Sequence, residues 1–143
     1  MLARSALAAA LAVVVLTTTG TTTARDIGSP RVTNRCPTDA LPLRHTDLPR
    51  LRRFALELAP HGVEKAGSRS IDYRDATAKA KFPTFYTAYV RSVCPASLVR
   101  RVIARTADVA VGYPHVNWSA SLSYSVFLIV RGPHGYVGWA QMH

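Results

Sequence analysis

The clearest hydrophobic pattern of this chain lies in its last third, where apolar and polar residues alternate. One face of the segment 120–130 carries Ala120, Leu122, Tyr124, Val126, Leu128 and Val130, and the other begins with Ser121, Ser123 and Ser125. A period of two is typical of a β-strand with one buried face, and the serines are expected on its solvent face. Towards its end the second face also becomes apolar, with Phe127 and Ile129, which predicts burial on both sides.

The segments on either side of this strand predict two more strands. Residues 106–113 place Ala107, Val109, Val111 and Tyr113 on one face. A turn over residues 131–135 leads into residues 136–142, which are rich in aromatic and β-favouring side chains. The last third of the chain therefore predicts three consecutive antiparallel strands.

A helix is predicted over residues 48–58. Its apolar residues recur at the spacing of three and four that places them on one helix face: Leu48, Leu51, Phe54, Ala55 and Leu58. Thr46 or Asp47 can cap its start, and Pro60 and Gly62 end it. A narrow, one-sided apolar stripe is typical of a helix that lies across a sheet.

The segments between this helix and the final strands give weaker patterns. Residues 72–81 have helix-favouring alanines and charges but little apolar periodicity. If they were helical, Asp72 and Asp75 would share a helix face. Residues 82–93 alternate like a further strand, which ends before Pro95 because proline restricts the residue that precedes it. Residues 97–105 fit a helix or an extended segment, and we interpret them as extended because a strand follows.

These elements predict an α+β fold in which one or two helices pack on a curved antiparallel sheet of three to four strands. The order of the elements resembles the outline of cystatin-like or NTF2-like folds. Folds of this kind serve many functions, so the outline implies no activity.

The first 24 residues have the pattern of an export signal. Arg4 precedes an apolar run over residues 6–16, and a small-residue cleavage site follows at residues 22–24. Eleven helical residues span about 17 Å, against about 30 Å for a hydrocarbon core, although an uncleaved anchor is an alternative. We expect a signal peptide over 1–24, a polar, turn-rich leader over 25–45 and a single domain over 46–143. The mature protein would be secreted or held in the cell envelope, without an integral membrane span.

The chain has two cysteines, Cys36 and Cys94. In an exported protein such a pair most simply forms one disulfide, and the spacing matches no zinc motif. Two free thiols are the alternative. A bridge that closes a loop of this length contributes about 4 kcal/mol in the chain-entropy model, so we expect these cysteines to be structural.

The charge of the chain is strongly basic. Without Arg4, 17 of the 18 basic residues remain against 8 acidic ones, which leaves a net charge of +9. Such a surface attracts anionic polymers non-specifically. The arginines are scattered and are not interleaved with stacking aromatics, which argues against nucleic acid as the partner.

No segment carries a recognisable catalytic, cofactor-binding or metal-binding motif, so no catalytic residue, cofactor or metal is predicted. The histidines lack the spacing of metal ligands, and no phosphate-binding glycine loop occurs. The acidic residues best placed for acid–base chemistry are Asp72, Asp75 and Asp108, and His115 is the histidine that could act with them. His115 would meet Asp108 if the loop after Tyr113 folded over the end of the sheet.

Aromatic residues near the ends of the strands offer a possible binding surface, made of Tyr113, His115, Trp118 and Trp139. Exposed aromatics of this kind dock peptides, glycans or proteins, whereas buried ones belong to the core. Trp139 alternates with Val137 along a strand, which favours the core. Trp118 lies in a loop of proline, asparagine and serine, which favours exposure.

The pattern Arg105-Thr106, Tyr113-Pro114, Ser119-Ala-Ser-Leu-Ser123, Val126-Phe-Leu-Ile-Val-Arg131, Gly135-Tyr136, Trp139 and His143 runs over the last third of the chain, and together with the segment from Cys94 it covers about 50 of the 143 residues. It resembles the C-terminal half of small exported proteins of actinobacteria to which no function is assigned, and their cysteine positions look similar. The resemblance implies export and a high-GC bacterial source, and it assigns no activity to any residue.

Three functional hypotheses follow. We favour an exported, non-catalytic binding domain that presents its sheet face and the Trp118 loop to an unknown protein, peptide or glycan. The first alternative is a small enzyme with an acid–base pocket between helix and sheet, which requires two of Asp72, Asp108 and His115 within hydrogen-bond reach. The second alternative is a structural protein of the cell envelope.

Overall fold

The computed structural model describes residues 30–116 and 123–143. Within these ranges, three helices pack against a two-stranded and a four-stranded antiparallel sheet. The helices are α1 (Leu48–Leu58, after a 3-10 turn at His45–Asp47), α2 (Thr87–Val93) and α3 (Ala96–Arg105). The strands are β1 (Val63–Ala66), β2 (Arg69–Asp72), β3 (Thr77–Lys81), β4 (Thr106–Gly112), β5 (Tyr124–Gly132) and β6 (Gly135–Met142). The predicted α+β class is confirmed.

The three predicted C-terminal strands are β4, β5 and β6, which pair in chain order. Val109 lies opposite Phe127, and Leu128 lies opposite both Asp108 and Ala140. The alternation of β4 sends Ala107, Val109 and Val111 into the core, where all three are fully buried. One detail differs, because Ser125 is buried and does not lie on a solvent face.

Helix α1 covers one face of the four-stranded sheet, as its apolar stripe predicts. Leu51 and Ala55 are fully buried in a cluster that includes Val109, Phe127 and Ile129. Pro49 occupies the first turn, where its missing N–H costs no hydrogen bond. The helix ends at Leu58, just before the predicted stop.

Helices α2 and α3 cover the opposite face of the sheet. The sequence prediction for both segments was wrong. Residues 87–93 were expected to be part of a strand and residues 97–105 to be extended, but both segments are helical. The physical reason is that spacing of three and four residues also fits their apolar positions, which pack on Leu128, Val130 and Trp139. These positions are Tyr89, Val90, Val93, Leu98, Val99, Val102 and Ile103.

Residues 72–81, whose alanines and charges are compatible with a helix, form strand and turn instead. Asp72 ends β2, Asp75 lies in a turn with a φ of 57°, and residues 77–81 form β3. β3 pairs with β4, with Lys79 opposite Ala110 and Lys81 opposite Asp108. Its alanines and lysines alternate between the two faces, and the alanines pack against the core below α1.

The segment before α1 is fastened to the sheet and to the α2–α3 junction. Cys36 and Cys94 form the predicted disulfide, with their Cα atoms 5.1 Å apart. The Thr33 N–H donates to the carbonyl of Gly138 at 2.9 Å, and the Leu41 N–H donates to that of Arg131 at 2.7 Å. The described part of the predicted leader therefore packs on the sheet.

The carboxylate of Asp47 joins the start of α1 to β6. Its Oδ2 accepts the Arg44 N–H at 2.7 Å, and its Oδ1 accepts the Tyr136 hydroxyl at 2.9 Å. Burial raises the pKa of Asp47, but these hydrogen bonds and the charges of Arg131 and Arg44 outweigh burial and hold the pKa below its ordinary 3.8.

We expect Asp47→Asn to destabilise the fold by about 2 kcal/mol near neutral pH, because a buried, charge-assisted pair of hydrogen bonds is weakened. Since the folded pKa is depressed, this contribution is present above the unfolded pKa and is lost as pH falls through the folded value. Urea unfolding of both proteins should therefore show a difference that shrinks below pH 3.8. Asp39→Asn, at an exposed position, is the control, and a difference that persists in acid would contradict the assignment.

Candidate functional site

The helices α2 and α3 leave part of their sheet face uncovered, and a groove lies there. We call it the α2 groove. It has a volume of about 360 Å³ and is lined by Lys79, Lys81, Phe85, Tyr86, Asp108, Ala110 and Val126. Most of this lining is apolar, with charged groups at one side.

Strand register creates the groove. Lys79, Ala110 and Val126 lie side by side on β3, β4 and β5, because Lys79 pairs with Ala110 and Ala110 pairs with Val126. The small side chain of Ala110 leaves a depression between its neighbours. The sheet therefore supplies an apolar floor and a lysine edge.

Phe85 forms the wall of the α2 groove, on the loop that leads into α2. This side chain is 69% exposed, although its ring is large and apolar. The Lys81 Nζ lies 5.2 Å from the ring centroid, within the range of a cation–π contact. The exposed ring lies beside an apolar cavity, so it has apolar surface that a partner could cover.

Asp108 lies at the base of the groove and holds the Phe85 loop. It is only 5% exposed, and its Oδ2 accepts the backbone N–H of Phe85. Its Oδ1 is buried and has no hydrogen-bond partner among the described residues. Burial raises the pKa of Asp108, and the Thr84 hydroxyl, the Phe85 N–H and the charge of Lys81 only partly oppose that effect.

The raised pKa of Asp108 predicts how its variants behave. The stability contribution of such a group is present below the unfolded pKa and is lost as pH rises through the folded value. We therefore expect Asp108→Asn, which stays neutral and can still accept the Phe85 N–H, to be at least as stable as the native protein near neutral pH. Asp108→Ala should lose about 2 kcal/mol, because it leaves that N–H without its acceptor. Urea unfolding at mildly acidic and mildly alkaline pH measures both, and equal losses in the two variants would contradict this account.

Two members of the predicted aromatic surface lie in the core. Trp139 is fully buried against Tyr89 of α2, and Tyr113 is 4% exposed and packs edge-on against Tyr73, with ring centroids 5.0 Å apart. Neither ring is available to a partner. The burial of Trp139 agrees with the alternation that favoured the core, although the sequence pattern did not indicate that a helix covers the ring. Trp118 lies outside the described residues.

Among the described residues, the structure pairs one predicted acid–base residue, Asp75, with His115, and it does not bring Asp72 or Asp108 into hydrogen bonds with them. His115 is exposed, and its Nε2 lies 2.9 Å from Asp75 Oδ2, not near Asp108 as the sequence allowed. Asp72 instead pairs with Arg74 at 2.7 Å, and the hydrogen bonds from Arg74 lower the pKa of Asp72 to about 2. Across residues 30–116 and 123–143, no hydrogen bond joins any two of Asp72, Asp108 and His115.

A larger cavity of about 610 Å³ lies beside His115, at the end of β4. It is wide open, and its lining residues are Thr77, Gly112, Tyr113, Pro114, His115, Val116 and Ser123. A nearby polar contact joins the Ser125 Oγ to the His143 Nδ1 at 3.3 Å. Ser125 is buried, and no described carboxylate hydrogen-bonds His143, so this pair lacks the accessibility and the orienting acid of a nucleophile.

The described residues contain no group of three or more His, Cys, Asp or Glu side chains placed to hold a metal ion. No helix in the same ranges has the length and apolar character needed to cross a membrane.

Comparisons with family models, curated proteins and solved structures found no match to this chain. The class that the structure defines is an α+β protein with one disulfide and a groove beside α2. The cystatin-like or NTF2-like outline stays a prediction. A functional proposal must therefore rest on the geometry of the α2 groove.

Proposed function

We propose that this protein is an exported, non-catalytic interaction domain and that the α2 groove is its binding surface. The observation that carries the proposal is Phe85, an exposed aromatic ring beside an apolar floor and two lysines. Export is supported by the signal-like residues 1–24 and by a disulfide, which persists in oxidising compartments.

The chemistry of the α2 groove favours a partner with an apolar side chain next to carboxylates. Covering an exposed aromatic ring contributes about 1.5–3 kcal/mol, which is enough for one anchor of a modest interface. Lys79 and Lys81 are two of the three lysines in a chain with fifteen arginines, and both lie at this groove. Their ammonium groups would attract carboxylates and set the orientation of the partner.

The same chemistry favours a protein or peptide over a glycan. Glycans are held by many directional hydrogen bonds, whereas the floor of the α2 groove is formed by Ala110 and Val126. Asp108 offers one free carboxylate oxygen there, but it is buried. The groove therefore has few of the groups that hold a sugar in place.

Non-specific attraction of anionic polymers is a separate property of the surface. Arg50, Arg52 and Arg53 are exposed on α1, which covers the opposite face of the sheet from the groove. Binding that depends on this charge alone would be insensitive to Phe85 and would fall steeply with salt. The two kinds of binding can therefore be separated.

A selection from random peptides displayed on phage tests the proposal, with the oxidised domain as bait. We expect the enriched peptides to combine an apolar anchor with acidic residues. Phe85→Ala should weaken their binding by about tenfold or more, as the loss of a buried aromatic contact implies. The variant keeps the backbone N–H that Asp108 accepts, so its fold should be unchanged.

Strand β1 offers matched controls, because Val63→Ala and Lys65→Gln alter an exposed apolar residue and a lysine that are not among the lining residues of the groove. Neither should change peptide binding, measured by fluorescence anisotropy. Enrichment only of polyacidic peptides that bind the Phe85→Ala variant equally well, and release at about 500 mM salt, would overturn the proposal.

A further inference from the structure

We infer that the partner is an extended acidic peptide segment that pairs with the outer edge of β3 and becomes a fifth strand of the sheet. This inference rests on the function proposed above and names the partner and its binding mode. Adding a strand to an open sheet edge is an established mode of peptide recognition, in which backbone hydrogen bonds give affinity and side chains give specificity.

The outer edge of β3 is open to a new strand. β3 stands first in the sheet order β3-β4-β5-β6, and no described strand pairs with its outer side. The β1–β2 hairpin, which comes just before β3 in the chain, forms its own sheet. Edge backbone groups that face outward in this way present unpaired donors and acceptors to an incoming chain.

The α2 groove is continuous with this edge. Lys79 and Lys81 belong to β3, line the groove, and are both exposed. On a strand added beside β3, residues opposite these lysines would have their Cβ atoms about 4.5–5.5 Å from the lysine Cβ atoms. Carboxylates two residues apart on the added strand would pair with both, and an apolar residue at the Lys81 end would reach Phe85.

Charge selects between the possible occupants of the edge. Two copies of this chain pairing through β3 would bring lysines of both copies together, and like charges on facing strands are destabilising. An edge lysine on its own is a common guard against such self-association. Protection against self-association does not require an exposed Phe85 beside the lysines, however. Two lysines next to an exposed aromatic ring fit an acidic strand that carries one apolar anchor.

Backbone methylation of the peptide tests the pairing directly. The probe is the linear peptide with the highest groove-dependent affinity from the phage selection, resynthesised with one N-methyl group at each position in turn. We expect losses of about tenfold at every second position, where an N–H faces β3, and little change at the positions between them. Amide hydrogen exchange should slow along Thr77–Lys81 when the peptide is bound.

Reversal of charge supplies a second test. The Lys79→Glu/Lys81→Glu variant should lose affinity for the acidic peptide by about tenfold or more and should bind its lysine-substituted counterpart instead. Peptides that need Phe85 but show no alternating sensitivity to N-methylation, and no slowed exchange in β3, would overturn strand addition and leave the interaction domain intact. Failure to select any groove-dependent peptide would overturn both.

Discussion

Replacing both cysteines, Cys36→Ala/Cys94→Ala, should lower the free energy of unfolding by about 4 kcal/mol. The bridge links positions that are 58 residues apart, so its removal returns a large amount of conformational entropy to the unfolded chain. Domains of this size are commonly stable by only about 5–15 kcal/mol, and the loss would take a large share of that reserve. Urea unfolding of the oxidised, reduced and double-variant proteins measures the effect.

Besides its effect on overall stability, the disulfide fixes the position of one local segment. Cys94 lies between α2 and α3, so the bridge holds the junction of these helices to the segment that precedes α1. Reductant should destabilise the native protein and leave the double variant unchanged, which controls for effects of the reductant itself. A double variant within about 1 kcal/mol of the native protein would show that the other contacts of this segment hold it without the bridge.

Trp139→Ala should destabilise the protein by about 3–5 kcal/mol, the range observed when a large buried aromatic is truncated. Trp139 is fully buried in the cluster between the sheet and helices α2 and α3, and its ring lies 5.9 Å from that of Tyr89. The cavity left by the indole would also loosen α2 on the sheet. Thermal and urea unfolding give the magnitude.

Two further variants show whether burial is the cause. Trp139→Phe keeps most of the apolar volume and should lose less, and Tyr124→Ala, at a β5 position that is 48% exposed, should have little effect on stability. Phe85→Ala should show the opposite profile, with lost binding and retained stability. If Trp139→Ala left the unfolding free energy unchanged while it abolished peptide binding, the core assignment of Trp139 would be wrong.

The residues of the candidate site were harder to predict from the sequence than the residues of the core. Asp108 was identified as an acidic group of interest, but its role in holding the Phe85 loop depends on a contact across 23 positions of the chain. Phe85 was assigned to a strand, and Lys79 and Lys81 to a segment with helical character. Nothing local in the sequence indicates that these residues meet, because strand pairing alone places them around one groove.

Among the secondary-structure elements, the sequence by itself determined α1 and strands β4, β5 and β6. These elements have long apolar patterns of a single period, and burial of one continuous face leaves few alternatives for such segments. The two cysteines likewise left one simple pairing. The resulting α+β class and disulfide depend mainly on local pattern and on composition.

Tertiary structure alone decided the identity of α2, α3 and β3. The apolar residues of these two short helices fit the period of a strand as well as that of a helix. Their contact with Leu128, Val130 and Trp139 favours the helix. β3 is made of alanine and lysine, which have little preference for strands, and it is a strand because β4 offers an unpaired edge and the core below α1 accepts small side chains. The same long-range pairing creates the α2 groove, so the part of this protein that we propose binds its partner is the part that local sequence could not specify.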